Sequence, residues 1–181
     1  MIRVPTGERR RTLWISTVTD RTQRDVEEAL SQLAEWRKWI SVGLVPETHE
    51  LKGCLNASDL NRIENNLGYL IELVKWQDPE ETEINDYVKT DWSVADIPNI
   101  SDIERILGTL RDIRIKCGIL PSQTPLPDTM LHFDDINAVE ENLNLLRSKL
   151  EVVFWFKLEA HTWGDLENYT WETLVNIRRG E

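Results

Sequence analysis

Ser58-Asp59-Leu60-Asn61-Arg62-Ile63, continuing through Leu67, Leu70 and Val74, is the stretch from which the rest of the chain can be read. Its apolar residues recur three and four positions apart, the core stripe of an amphipathic helix. The pattern returns twice. Ser101-Asp102-Ile103-Glu104-Arg105-Ile106 runs on to Leu110 and Ile113, and Asp134-Asp135-Ile136-Asn137-Ala138-Val139 runs on to Leu143, Leu146 and Leu150. A weaker copy starts at Thr22-Gln23-Arg24-Asp25-Val26 and passes through Ala29, Leu33 and Trp36. Ser58, Ser101 and Asp134 are suited to accept from the orphan N–H groups of a first helical turn. Ser101 with Glu104 spells a capping box, and Asp102 favours the positive helix end. The pattern predicts helices over 22–40, 58–76, 101–117 and 134–150. The aligned aspartates Asp59, Asp102 and Asp135 stand 43 and 33 residues apart. Unequal spacing of this kind indicates duplication inside a bundle, not a solenoid.

The connections carry breakers where the helices should end. Gly43 and Pro46 close the first, Gln77-Asp78-Pro79 the second, and Gly118 with Pro121 the third. Pro125 and Pro127 hold an extended loop. Residues 80–100 are long for a plain loop and leave room for a short extended piece around Tyr87–Trp92. Val152–Phe156 reads equally as a continuation of the fourth helix or as a short strand. Beyond it, Thr162-Trp163-Gly164-Asp165-Leu166-Glu167 and Thr170-Trp171-Glu172-Thr173-Leu174 spell two Thr-capped helical turns. The expected fold is all-α. It has an extended N-terminal arm over 1–18, a four-helix bundle-like module within a helical domain over 19–150, and a short Trp-rich C-terminal docking tail over 151–181.

A chain of 181 residues and 21.2 kDa suits one domain. It is long enough to bury about 70% of its unfolded surface without disulfides or a structural metal. Forty per cent apolar and 29% charged residues are the balance of a soluble globular protein. The net charge of −11 opposes phosphate backbones, so no nucleic-acid partner is expected. That charge is uneven: residues 1–40 hold eight Lys/Arg against six Asp/Glu, and the remainder hold 13 against 26. The longest notable apolar run, Val152–Phe156, falls far short of the 18 or so residues of a membrane span, so no membrane insertion is expected. The start, MIRVPTGERRR, lacks the apolar core of a secretory signal. Cys54 and Cys117 form neither a disulfide framework nor a CxxC half-site.

Eight tryptophans outnumber three tyrosines and three phenylalanines together. Indole, with a large apolar body and one N–H donor, suits half-buried surfaces and interfaces. Trp14 with the basic run Arg9-Arg10-Arg11 at one end, and Trp163, Leu166, Trp171 and Leu174 at the other, are the candidate partner-binding residues. Trp76 and Trp92, near and within the long loop, are the candidate receptor contacts.

Catalytic constellations do not emerge. His49, His132 and His161 offer no H-x-x-x-H, and Cys54 has no histidine near it in sequence. Neither G-x-S-x-G, a P-loop nor G-x-G-x-x-G is present. The acidic run Asp78, Glu80, Glu81, Glu83, Asp86 lacks the order of a calcium loop. The expectation is a non-enzyme without metal or cofactor.

Several motifs together resemble a family of minor structural proteins of phages and prophages of Gram-positive bacteria. Val18-Thr19-Asp20-Arg21-Thr22-Gln23-Arg24-Asp25-Val26 looks like that family's TDRTQ-x-DV start, and Leu51-Lys52-Gly53-Cys54-Leu55-Asn56-Ala57-Ser58-Asp59-Leu60-Asn61-Arg62-Ile63-Glu64 its LKGAYNxxDLNRVE block. Lys89-Thr90-Asp91-Trp92-Ser93, Asp96, Pro98, Ser101-Asp102 and Arg105 follow its KTDWxxxDxP…SDxxR segment. Leu120–Pro127 echoes an LPxTPPLP loop, and Thr162–Glu167 a TWxxLE tail unit. Cys54-Leu55 departs from the family's Ala-Tyr, and Thr170–Leu174 keeps the tail pattern only in part. The resemblance spans residues 18–175. It implies synthesis in the bacterial host cytoplasm and a place in the virion, in the tail or baseplate, or in a phage-tail-like particle such as a contractile bacteriocin. Its partners would be tail, baseplate and fibre proteins, with several copies per particle or a homo-oligomer. The resemblance gives no defined biochemical activity; with the helical module and its adhesive-looking ends, the expected role is a structural adaptor in the baseplate or fibre attachment region. The alternatives are a receptor- or carbohydrate-binding module at the tail tip and an assembly chaperone.

Overall fold

A computed structural model describes residues 12–44, 50–78 and 84–159, with the backbone alone over 153–159. It contains α1 (Gln23–Ser41), α2 (Ala57–Gln77), α3 (Ile100–Lys116) and α4 (Phe133–Glu159), with no strand among the described residues. The all-helical expectation and its four helices therefore hold. The three strong stripes are the core: Leu60, Ile63, Leu67, Leu70 and Val74 of α2 meet Ile106, Leu110 and Ile113 of α3 and Ile136, Val139, Leu143, Leu146 and Leu150 of α4, all buried. Ile103 packs on this cluster from its edge.

The caps differ from the expected ones. Asn56 and Asn99, two residues before Ser58 and Ser101, precede the helices, and their N–H groups donate to the carboxylates of Asp59 and Asp102 at 3.0 Å each. The capping box of α3 is thus Asn99–Asp102, not Ser101–Glu104. At α4, Asp135 takes the place given to Asp134 and accepts from the N–H groups of Leu131 and His132. The aspartate at the third helical position accepts from the N–H of the cap residue itself, the reciprocal half of a capping box, and at α3 the Asn99 side chain accepts from the Asp102 N–H. Val152–Phe156 continues α4, which runs through the expected boundary between residues 150 and 151.

The expected four-helix bundle is a bundle of three. Packing joins α2 to α4, α2 to α3 and α3 to α4, while α1 has no comparable helix partner. The physical reason is occupancy: non-helical segments fill the grooves where a fourth helix would seat. A first strap, residues 12–22, lies between α2 and α4, bonded to Asn65, Asn66 and Glu72 on one side and to Asn137, Glu140 and Asn144 on the other. A second strap, residues 85–93, lies between α2 and α3, bonded to Asn61, Glu64, Lys75 and Arg105. Over α3 and α4, the loop after Gly118 is held by the Arg114 guanidinium, which donates to the carbonyls of Leu120, Gln123 and Thr124.

A strap without a strand partner must find other groups for its backbone. Asparagine amides supply them, because one side chain can accept from a residue's N–H and donate to its carbonyl. Asn61 does so for Trp92 (2.7 and 2.9 Å), Asn66 for Ile15 (2.8 Å both) and Asn137 for Arg21 (3.3 and 2.8 Å). One turn along from Asn61 and Asn137, Glu64 accepts from the Lys89 N–H and Glu140 from the Val18 N–H.

These clamps extend the duplication beyond the apolar stripe. Asp59-Leu60-Asn61-Arg62-Ile63-Glu64-Asn65-Asn66-Leu67 on α2 stands against Asp135-Ile136-Asn137-Ala138-Val139-Glu140-Glu141-Asn142-Leu143 on α4. Val18-Thr19-Asp20-Arg21-Thr22 on one strap stands against Lys89-Thr90-Asp91-Trp92-Ser93 on the other. The chain is two strap–helix–helix halves, and the clamp motif of each half's last helix grips the strap of the other half. Reciprocal gripping ties the two halves into one folding unit.

Candidate interaction surface

Several residues of the motifs, Arg21, Asp59, Glu64 and Trp92 among them, lie inside the molecule. Glu140 is fully buried and accepts from Arg21 Nη2 at 3.2 Å and from Arg62 Nε and Nη2 at 3.1 and 2.6 Å; both guanidiniums also reach Asp59. Two cations and two carboxylates make a neutral buried cluster, the arrangement that limits the desolvation cost of burying charge. Burial opposes the Asp59 charge, but the Asn56 N–H and the Arg21 and Arg62 guanidiniums outweigh it and hold the carboxyl below its ordinary value. The second cluster repeats the plan with one substitution. Glu64, also fully buried, pairs with Arg105, and the Trp92 Nε1–H reaches it at 3.4 Å from the position that Arg21 holds in the first strap.

Trp92 is therefore not an exposed loop aromatic, as its candidacy for receptor contact required. It is 6% exposed, clamped by Asn61, and capped by the Lys89 ammonium 3.7 Å from its ring centre. Trp14 is likewise engaged within the chain. It packs on the core edge-on to Tyr69, with ring centres 5.6 Å apart and the Arg147 guanidinium 4.8 Å from its ring. Burial and the hydrogen bond to Glu151 push the Tyr69 hydroxyl up to about 12. Residues 12–18 of the expected free arm are seated in the α2–α4 groove. Trp76 is 43% exposed, near the end of α2. Arg9, Arg10, Arg11, Trp163, Leu166, Trp171 and Leu174 lie outside the described residues.

Sequence reasoning missed a different surface. Of α1, only Ala29 is buried, while Leu30 is 61% and Ile40 62% exposed, and Trp39, Val42 and Leu44 are exposed too. Leu33 and Trp36 of the same helix are half-buried. The helix is fastened near its N-terminus. Thr22 and Asp25 close a capping box, Lys52 reaches Asp20 and Asp25, and Gly53 passes so close that a β-carbon there would lie 2.2 Å from the Asp25 carbonyl oxygen. A gap of about 170 Å³ remains between α1 and the 50–52 loop. From there α1 runs out with Leu30, Trp39 and Ile40 exposed, and Gly43, at φ +80°, ends it. No local signal for this surface stands in the sequence: α1 lacks the Asn-x-x-Glu clamp that α2 and α4 carry, but so does the core helix α3.

At the far end, where α4 outruns its neighbours, an open cleft of about 850 Å³ is lined by Val74, Cys117, Lys149, Leu150 and Val152 among others. Burial pushes both cysteine thiols, Cys54 and Cys117, above their ordinary values. Among the described residues no three His, Cys, Asp or Glu side chains converge to hold a metal ion, and no helix is long and apolar enough to cross a membrane. The described residues define an all-helical class: a three-helix core tied by two straps, each pinned by one buried side chain (Arg21 and Trp92), with one helix standing out from it. Compared with family models, curated proteins and solved structures, the chain matches none.

Proposed function

We propose that this chain is a non-enzymatic structural component of a phage tail or phage-tail-like particle, an adaptor of the baseplate or fibre attachment region. The single observation behind this reading is the outer part of α1 and the turn after it, where Leu30, Trp39, Ile40, Val42 and Leu44 are exposed beside a core that fills its own grooves. An exposed apolar stripe on a rigid body is a docking surface. The motifs behind the resemblance to phage structural proteins support it from a second side. Arg21, Asp59, Asn61, Arg62, Glu64, Trp92 and Arg105 are spent on clamping the fold together, which is what a scaffold needs from its most distinctive residues. The test is electron microscopy of purified induced particles labelled with an antibody against this chain. Label at the tail tip or baseplate is expected. Unlabelled particles, with the protein present in the lysate and its epitope accessible, would overturn the proposal.

A further inference from the structure

We infer that the cleft at the C-terminal ends of the core helices is the seat of the chain's own tail, residues 162–174, with Trp163 and Trp171 as its anchors. The inference is independent of the adaptor reading, which rests on α1. It makes Trp163, Leu166, Trp171 and Leu174 contacts within the chain instead of contacts with a partner. Three observations carry it.

The first is where the cleft lies. Arg62 pairs with Glu140 and Arg105 with Glu64 towards one end of the core, and Gln77 reaches the Leu150 carbonyl at the other. Helices α2, α3 and α4 therefore point their C-terminal ends one way, towards the cleft. Val74 and Leu150 of its lining belong to the core, so the cleft opens on the end of the core itself. Half-buried Cys117 and Val152, 53% exposed, extend that apolar wall. Its volume of about 850 Å³ is within the range of roughly 300–1,000 Å³ that encloses whole ligands, enough for two indoles with their leucines.

The second is the length of chain beyond the core and where it starts. From Val152 to Glu159, α4 advances about 10 Å past the cleft wall at ~1.5 Å per residue. The stretch from Glu159 to Trp163 spans up to about 14 Å when extended, enough to bring the first indole back level with Val152. Trp171 follows about 12 Å further on in helical geometry, so both indoles come within reach of one cleft.

The third is chemistry. Residues 160–177 hold Asp165, Glu167 and Glu172 and no Lys or Arg. On a chain of net charge −11 most of the surface repels such a segment. Among the described residues, the ionisable lining of the cleft is Lys116 and Lys149 against Asp78 alone. A segment well under about 40 residues does not build a core of its own, so two tryptophans and two leucines need an apolar wall supplied by another part of the fold.

The experiment is amide exchange and cysteine alkylation on the full chain, read by mass spectrometry. Wild-type amides over 163–174 are expected to exchange at least about tenfold more slowly than unstructured peptide, independently of protein concentration. Val152→Glu sets a carboxylate on the exposed cleft wall and should return these amides to peptide rates, while those around Leu67 keep their protection. The reciprocal variant, Trp163→Ser with Trp171→Ser, should raise alkylation of Cys117 at least about tenfold and leave Cys54, near the other end of the core, unchanged. Tail amides that exchange at peptide rates in the wild type overturn the inference, as does an unchanged Cys117 rate in the tryptophan variant. Protection that survives Val152→Glu overturns it by seating the tail elsewhere, and protection that rises with concentration does so by seating it on a second copy. If the tryptophan variant exposes both cysteines together, the core itself has loosened, and the response of the tail amides to Val152→Glu decides.

Discussion

Glu140→Gln removes one charge from the centre of the first cluster and exchanges one acceptor oxygen for an NH₂ donor. In the wild type the two oxygens of Glu140 accept from the Val18 N–H at 2.6 Å and from the guanidiniums of Arg21 and Arg62, with no solvent reaching the side chain. The substitution leaves two buried arginines facing one carboxylate, Asp59, and turns a donor towards donors. Breaking a buried pair by removing one partner costs about 3–5 kcal/mol. At a urea slope of about 2 kcal/mol/M, the unfolding midpoint should fall by roughly 1.5–2.5 M. Glu141→Gln, one residue along on the exposed face, should stay within about 0.5 kcal/mol of wild type. Amide exchange gives a second, local readout. The Val18 N–H should lose protection ahead of the amides around Leu143, because a single amide oxygen must now serve both it and the two guanidiniums while the core stripe is intact. A Glu140→Gln loss below about 1 kcal/mol, or a Val18 amide as protected as before, would refute the claim that this carboxylate fastens the first strap.

Asn61→Ala strips both backbone partners from Trp92 and should cost about 2–4 kcal/mol in chemical denaturation, because a buried N–H and carbonyl are left unpaired. Asn65→Ala, which loses one exposed-side bond to the Leu13 carbonyl, should cost much less. Gly53→Ala drives a β-carbon into the α1 backbone at Asp25, and displacing α1 should cost about 1–3 kcal/mol. Exchange of α1 amides should accelerate more than exchange in α2, and equal acceleration would mean that α1 is fastened elsewhere. For acid, the sign follows from the depressed Asp59 carboxyl. Its contribution to stability is fully present above the ordinary carboxylate pKa of about 4 and is lost as pH falls through the lower folded value. The gap in stability between wild type and Asp59→Asn should therefore narrow from pH 5 downward, and a gap constant to pH 2 would contradict the assignment.

Helices α2, α3 and α4 are legible in the amino-acid sequence because a buried helical face leaves a periodic trace. Leu60, Ile63, Leu67 and Leu70 recur as they must if one side of a helix is to stay dry. Their caps are legible only in kind: Ser58 and Ser101 satisfy the rule, but Asn56 with Asp59 and Asn99 with Asp102 satisfy it better and two residues earlier. The all-helical class is settled by such local patterns, since the 3.6-residue period belongs to the helix itself. The role of a polar residue is not. Asn61, Glu64, Asn137 and Glu140 look like solvated positions on a helix, and they become clamps only because straps from 25 to 122 residues away lie against them.

Trp92 carries the same lesson for an aromatic in a loop. Nothing local distinguishes an indole waiting for a receptor from one pressed between Asn61, Glu64 and Lys89. Conversely, α1 has a fair amphipathic stripe, and its sequence reads as a bundle helix. Whether such a stripe is buried depends on whether a groove is vacant to receive it, and here the straps have taken the grooves. Periodicity determined which faces of this chain are apolar. Only the tertiary arrangement decided which of them found a partner inside the molecule, because burial is a competition for space between segments far apart in sequence.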